Sequence, residues 1–345
     1  MSTNEIEGID AERVTAWLQE RAKVEPPLSF SLIAGGHSNL TFAVTDAAGT
    51  KWVLRRPPLK QVLATAHDMG REHKIISALA PTDVPVAPAV GLCTDESVNG
   101  APFYVMDFVE GTVVRDLDTA KAMTETQRRT AGESTIDTLA RIHAVDVDAV
   151  GLGDLGKRED YIARQLKRWY SQFEKSKTRE LPVVDEVHDL LAKAMPEQGP
   201  AAIVHGDYRL DNCMVGDDGQ VVAVLDWEIC TLGDPLADVG LLLVYSPDEE
   251  GTSATGVPAV TALPGFPSQQ EMLDRYQSIS GRDLTHIDYY VAFGYWKLGC
   301  ILEGVYARYV GGAMGGRGEP GSFDFFGQQV VTIFERARDA ATRVA

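Results

Sequence analysis

Apolar positions recur at helical spacing directly after Asp10. In AERVTAWLQERA (11–22), Val14, Trp17 and Leu18 fall on one face, behind an acidic residue suited to cap a helix. From residue 28 to 90 the pattern changes to strands. LTFAV (40–44) and KWVLR (51–55) flank the turn DAAGT (46–50), which predicts a hairpin. A helix over 71–79 follows, then a proline-punctuated stretch, then the strand PFYVMDFV (102–109). After Gly111 the spacing becomes helical. Thr124 and Gln127 frame a capping box, and the helix behind them carries Ile136, Leu139, Ala140 and His143 on one face. A second helix over 161–177 bears the aromatic stripe Tyr161, Trp169, Tyr170 and Phe173. Short strands return at AAIVHGD (201–207), NCMV (212–215) and QVVAVLDW (220–227). The remainder reads as helical apart from the loops 246–267 and 311–321, and no internal repeat is visible. The pattern predicts a small β-rich lobe, residues 1–108, ahead of a larger helical lobe, residues 109–345.

Composition narrows the class. With 345 residues, 44% apolar and 24% charged, the chain can bury a sizeable core. Lys and Arg total 32 against 50 Asp and Glu, a net charge of −18, which disfavours nucleic-acid and membrane-surface roles. Nucleotide binding stays open, because one cationic pocket or a metal ion reverses the field locally. The polar, acidic start MSTNEIEGID has no signal-peptide pattern, and no apolar run is long enough to span a bilayer. Cys93, Cys213, Cys230 and Cys300 are scattered without a CxxC pair and read as buried reduced thiols, so the expected compartment is the cytoplasm.

The chemistry is concentrated in HGDYRLDNCMV (205–215) and VVAVLDWE (221–228). Asp207 sits on the loop after a strand, and Asn212 follows five residues later. A hairpin then delivers Asp226 at the end of an apolar strand. Neighbouring strands lie roughly 5 Å apart, so Asn212 and Asp226 can converge on one hard cation while Asp207 stays available to take a proton from a hydroxyl. A base with two Mg²⁺ ligands meets the needs of phosphoryl transfer, where catalysis is positioning and charge neutralisation.

These segments resemble the catalytic loop and metal-binding segment of the aminoglycoside phosphotransferase and choline kinase-like family. The spacing of Asp207 and Asn212 is that of the kinase HRDxxxxN loop, with His-Gly-Asp in place of His-Arg-Asp. The resemblance implies a two-lobed protein-kinase-like α+β fold, with Asp207 as catalytic base and Asn212 and Asp226 as Mg²⁺ ligands. It also implies that Gly35, Gly36 and Ser38 cover the phosphates of ATP. Arg55 stands in the place of the strand-three lysine, with Glu72 as its helical ion-pair partner and Arg56 as a competitor for that role. By the same resemblance 103–111 is the interlobe hinge, where the backbone of Asp107 and Val109, just after Met106, meets adenine. His143 reads as a packed core histidine and Asp238 as a structural tie on the catalytic loop.

Gly151, Gly153 and Gly156 fit GxGxxG, but no buried strand precedes them, so a dinucleotide site is rejected. Three further segments resemble the kinase-like domains fused to acyl-CoA dehydrogenases. They are VLRRPP (53–58), AHDMGRE (66–72) and WKLGCILEGVYARY (296–309).

The expected function is ATP- and Mg²⁺-dependent transfer of phosphate to a hydroxyl of a small molecule. A non-catalytic sensor is disfavoured because base and both metal ligands are present. A protein kinase is disfavoured because no APE-type segment follows Asp226. For the acceptor, 285–310 sets Lys297, Glu303 and Arg308 among Tyr289, Tyr290, Phe293, Tyr295, Trp296, Tyr306 and Tyr309, and the next loop adds Arg317. Read as a surface, this mixture suits an apolar chain with an anionic end: a hydroxylated acyl or carboxylate metabolite, with a CoA thioester in range. Core packing of the same aromatics, and an aminoglycoside acceptor, are the alternatives.

Overall fold

The computed structural model describes residues 6–34, 39–59, 68–247, 251, 254, 259–311 and 323–345. Asp10 caps helix α1 (Ala11–Gln19) by accepting from the N–H of Arg13, and Val14, Trp17 and Leu18 are buried as their spacing requires. The hairpin forms from β2 (Leu40–Thr45) and β3 (Lys51–Arg56), and every second residue of β2 is buried. With β1 (Ser29–Ala34), β4 (Ala89–Cys93) and β5 (Phe103–Asp107) they build a five-stranded antiparallel sheet of order β1-β2-β3-β5-β4. Helix α2 (Met69–Leu79) is capped by Asp68 and starts two residues before the predicted helix, and the short α3 (Glu96–Asn99) precedes β5. Phe42, Val44, Trp52, Leu54, Phe103 and Val105 of the sheet pack with α1 as one core.

These elements belong to a first compact unit, Met1–Gly111 with Val222–Glu228; Thr112–Val221 and Ile229–Ala345 form a second. The second unit opens with β6 (Thr112–Val113) and α4 (Leu117–Ala122). Helix α5 (Glu125–Ala144) follows, entered through the Thr124–Gln127 capping box in both directions. Helices α6 (Tyr161–Ser176) and α7 (Pro182–Lys193) come next, then β7 (Ala202–Val204) and β8 (Cys213–Val215), which pairs with β6. Strand β9 (Val221–Val224) carries the chain into the first unit, and β10 (Thr231–Gly233), which sequence reasoning missed, returns it and pairs with β7. Helices α8 (Leu236–Tyr245), α9 (Gln269–Ser280), α10 (Ile287–Val310) and α11 (Asp324–Val344) complete it.

The core of the second unit is built on Tyr161, Trp169, Phe173, Tyr290, Phe293, Trp296 and Phe334. Helix α10 crosses α8 so closely that a Cβ on Gly240 would lie 2.5 Å from the backbone of Tyr290. All four cysteines are buried and unbridged, and among the described residues no helix is long and apolar enough to cross a membrane.

Candidate active site

The loop that holds Asp207 is fixed through its backbone. Asp238, 1% exposed, accepts from the N–H of His205 at 2.6 Å and of Gly206 at 2.8 Å. Gly206 adopts φ +87°, a left-handed conformation that glycine adopts at no steric cost. Its carbonyl accepts from Lys297 Nζ at 2.6 Å, and the N–H of Asp207 reaches His205 Nδ1 at 3.3 Å. Asn212, in a short 3₁₀ turn, donates from Nδ2 to Asp207 O (2.8 Å) and to Asp207 Oδ2 (3.0 Å). The structure thus brings Asp207 and Asn212 together, and the amide orientation leaves Asn212 Oδ1 as the end able to ligate a cation.

Behind this loop, Asp238 also meets His143 Nε2 at 3.4 Å, and His143 Nδ1 meets the Tyr276 hydroxyl at 2.7 Å. Burial pushes the His143 pKa down, with Asp238 opposing it. Burial also works against the Asp238 carboxylate, yet the His143 hydrogen bond, the His143 and His205 charges and the Gly206 N–H hold it below its ordinary value. Asp238 thus holds two loop amides from one side while His143 packs against it from the other.

Two residues beside Asp207 were not singled out from the sequence. Arg209 Nη1 lies 2.9 Å from Asp211 and its Nε 3.5 Å from Asp207 Oδ2, and its guanidinium stacks 4.8 Å from the Tyr245 ring centroid. Burial raises the Tyr245 pKa, and Asp207 adds to the shift.

The remaining candidates form a cluster in the first unit. Arg55 and Arg56 point oppositely, as successive strand residues must. Arg55 Nε stands 2.9 Å from Glu72 Oε2, and its Nη2 donates to Asp226 Oδ1 at 2.6 Å. Arg56 instead donates to the carbonyls of Gly8, Asn99 and Pro57, so Arg55 alone faces the acidic cluster. Glu72, 2% exposed, also accepts from Asn39 Nδ2 at 2.7 Å and the Tyr104 hydroxyl at 3.0 Å. Burial pushes its pKa up, with Arg55 countering; burial likewise opposes the Arg55 charge, but Glu72, Tyr104 and Asp226 raise its pKa above the ordinary value. Asn39 and Tyr104 carried no sequence signal of this role beyond proximity to the glycine loop and to the hinge strand.

Asp226 has φ +63°, an uncommon conformation for a residue with a side chain. Among the described residues only Arg55 is bonded to its carboxylate, and the side chain remains 34% exposed. In the segment expected to meet adenine, the N–H of Asp107 is taken by Pro88 O at 2.8 Å, so a contact by Asp107 would fall to its carbonyl. Met106 is half-buried in β5, and Val109 follows the strand. Gly35, Gly36 and Ser38 lie outside the described residues, as does Arg317.

Of the residues of 285–310 read as an acceptor surface, Tyr295, Tyr306 and Tyr309 are half-buried and Arg308 is exposed, while the rest are core. Tyr289, Tyr290, Phe293 and Trp296 are at most 2% exposed and pack the core of the second unit. Lys297 and Glu303 are buried with them, on the side of α10 that packs against α6, α7, α8 and α11. The GxGxxG match at Gly151, Gly153 and Gly156 lies in turns between α5 and α6, with no strand before it.

The phosphotransferase enzyme family matches residues 29–267, more than two thirds of the chain. The chain belongs to this family. Mouse acyl-CoA dehydrogenase family member 10 is 33% identical over 322 residues, covering 92% of this chain but 30% of the mouse protein. The chain spans less than half the length of the curated relatives it matches. A Ralstonia eutropha protein of known structure, provisionally named an aminoglycoside phosphotransferase, is 33% identical with a TM-score of 0.81, covering 97% of this chain and 98% of that one. The ternary complex of streptomycin, ATP and APH(2")-IIa shares the fold at 14% identity and a TM-score of 0.57, covering 86% of this chain and 91% of that one. The fold is kinase-like, a small antiparallel sheet region followed by a helical region, and the class is that of small-molecule phosphotransferases.

Proposed function

We propose that the chain transfers the γ-phosphate of ATP to a hydroxyl of a small molecule, with Asp207 as the base. The observation that carries this is the Asp207–Asn212 pair: a carboxylate on a backbone-locked turn, gripped by an amide whose oxygen end remains for a cation. A structural neighbour that binds ATP supports the nucleotide.

Mg²⁺ suits the donors. Asn212 and Asp226 each offer a side-chain oxygen, and the Asp226 side chain is 34% exposed. That is the pattern of a Mg²⁺ held by one or two protein oxygens together with substrate phosphates. Bound there, the ion supplies neutralisation of charge on the phosphates. Asp207 orients the acceptor hydroxyl and takes its proton. Arg55, held by Glu72, offers a guanidinium fork to phosphate oxygens. The glycine loop Gly35, Gly36 and Ser38 covers the nucleotide, and the hinge Met106, Asp107 and Val109 receives adenine.

For the acceptor we favour a hydroxylated acyl or carboxylate metabolite, including CoA thioesters. With Tyr289, Tyr290, Phe293 and Trp296 in the core, this rests on the relatives named acyl-CoA dehydrogenase family members. An aminoglycoside acceptor is the second reading, favoured by the name of the Ralstonia protein. Competitive turnover tests both: a hydroxyacyl-CoA set and an aminoglycoside set at equal concentration with MgATP, read by mass spectrometry. Phosphorylation of the aminoglycosides alone would sink the acyl reading.

A further inference from the structure

Lys297 is 4% exposed, on a helix face made of core residues. Among the described residues it has no carboxylate ion-pair partner. Its ammonium sits 5.7 Å from the Trp169 ring centroid and donates to one oxygen, the carbonyl of Gly206, at 2.6 Å. The charges of Asp238 and Asp207 offset part of the cost of burying this ammonium, but neither carboxylate bonds to it, and a methionine or leucine would fill the same volume without any such cost. A packing role alone does not account for a lysine here.

The carbonyl it holds belongs to the peptide that joins Gly206 to Asp207. The preceding peptide is held from its N–H side by Asp238. Gly206 is the one residue of the turn whose left-handed φ leaves its backbone free to rotate, since no side chain restricts it. A cation on its carbonyl and an anion on its N–H together fix both peptide planes leading into the base.

We infer that Lys297 is a positioning residue for the Asp207 base, acting by clamping the Gly206 carbonyl. The inference rests on the phosphotransferase reading for its kinetic part and on geometry alone for its structural part. Charge on the ammonium, rather than side-chain volume, sets the orientation of the peptide before Asp207. Other contacts to that loop, from Asp238 and Asn212, hold different atoms and do not replace it.

The experiment compares Lys297→Met and Lys297→Arg with the wild-type chain. Hydrogen exchange over residues 205–208 needs no substrate. It should rise about tenfold or more in Lys297→Met, with α8 and α10 unchanged, and stay near wild type in Lys297→Arg. With an acceptor that the wild-type chain phosphorylates, kcat of Lys297→Met should fall about tenfold or more while KM for MgATP stays within about twofold. Unchanged exchange in the loop, or exchange rising throughout the helical unit, overturns the inference. So does an equal loss in Lys297→Arg. Should Lys297→Met fail to fold, Lys297→Arg decides: loop protection kept supports the clamp, and protection lost refutes it. Absence of any wild-type phosphorylation counts against the phosphotransferase reading and leaves the exchange result to stand by itself.

Discussion

Arg55 donates to Asp226 at 2.6 Å across 171 positions of sequence, while its Nε rests 2.9 Å from Glu72. One guanidinium therefore touches both a structural carboxylate and a proposed metal ligand. Nucleotide phosphates and Mg²⁺ would compete for the two ends of the Arg55–Asp226 bond, whereas Glu72 holds the guanidinium from behind.

Glu72→Gln keeps the side-chain shape, leaves one oxygen for either Asn39 or Tyr104 rather than both, and removes the charge that orients Arg55. Hydrogen bonds to charged groups contribute roughly 1.5–3 kcal/mol, so kcat/KM for MgATP should fall about tenfold to a hundredfold. Steady-state kinetics at saturating acceptor checks this. An unchanged value would remove the ion pair from the mechanism.

Asp207→Asn should keep nucleotide binding and lose phosphoryl transfer by about 10²–10⁴-fold, because an amide cannot take the acceptor proton. Isothermal titration with MgATP and a turnover assay separate the two effects. Turnover near the wild-type rate would exclude Asp207 as the base.

MgATP at a hundredfold excess over Kd should stabilise the native chain by about 2.7 kcal/mol. Asp226→Ala should abolish most of the Mg²⁺-dependent part of the resulting Tm shift, measured by scanning calorimetry with Mg²⁺ and with EDTA. Equal shifts in both buffers for the wild-type chain would refute the metal assignment.

His143 binds fewer protons folded than unfolded, since burial lowers its pKa from 6.5. Its contribution to stability is therefore complete above pH 6.5 and is lost as pH falls from there towards the lowered value. One such group makes the unfolding free energy fall by up to about 1.4 kcal/mol per pH unit in that window. Urea unfolding from pH 7.5 down to 5 should show this slope, and His143→Gln should flatten it. A slope unaltered by the substitution would assign the pH dependence to other groups.

Gly206→Ala should destabilise the chain by about 1–2 kcal/mol, the cost of a left-handed conformation for a residue with a Cβ. The added atom would also stand 3.0 Å from Ile229 Cδ1. Urea unfolding measures the loss, and no change in stability would mean that the turn tolerates a different φ.

Much of the architecture is legible because its signals are local. The caps at Asp10 and Thr124, the alternation in β2 and the Asp207–Asn212 spacing each depend on a few neighbouring residues. What escaped reading depends on which side of an element is covered. Helix α10 is aromatic and charged together, and nothing within its 24 residues says which of its aromatics α6, α7, α8 and α11 cover. Lys297 was misplaced for the same reason, although a lysine three residues before Cys300 and four after Phe293 lies on an apolar helical stripe and hints at burial. Asn39 and Tyr104 reach Glu72 only through the pairing of distant strands, which no single segment encodes. The choice between Arg55 and Arg56 needed the direction of one strand face.

The left-handed backbone at Asp226 constrains how this lineage can drift. Asparagine, aspartate and glycine tolerate that conformation best, so the substitutions that remove the carboxylate most gently are Asp226→Asn and Asp226→Gly. Under the metal role proposed for Asp226, descendants that abandon catalysis while keeping the fold should therefore carry one of those two residues at this position. A bulky or β-branched residue there would mark a chain whose backbone has been rebuilt around it.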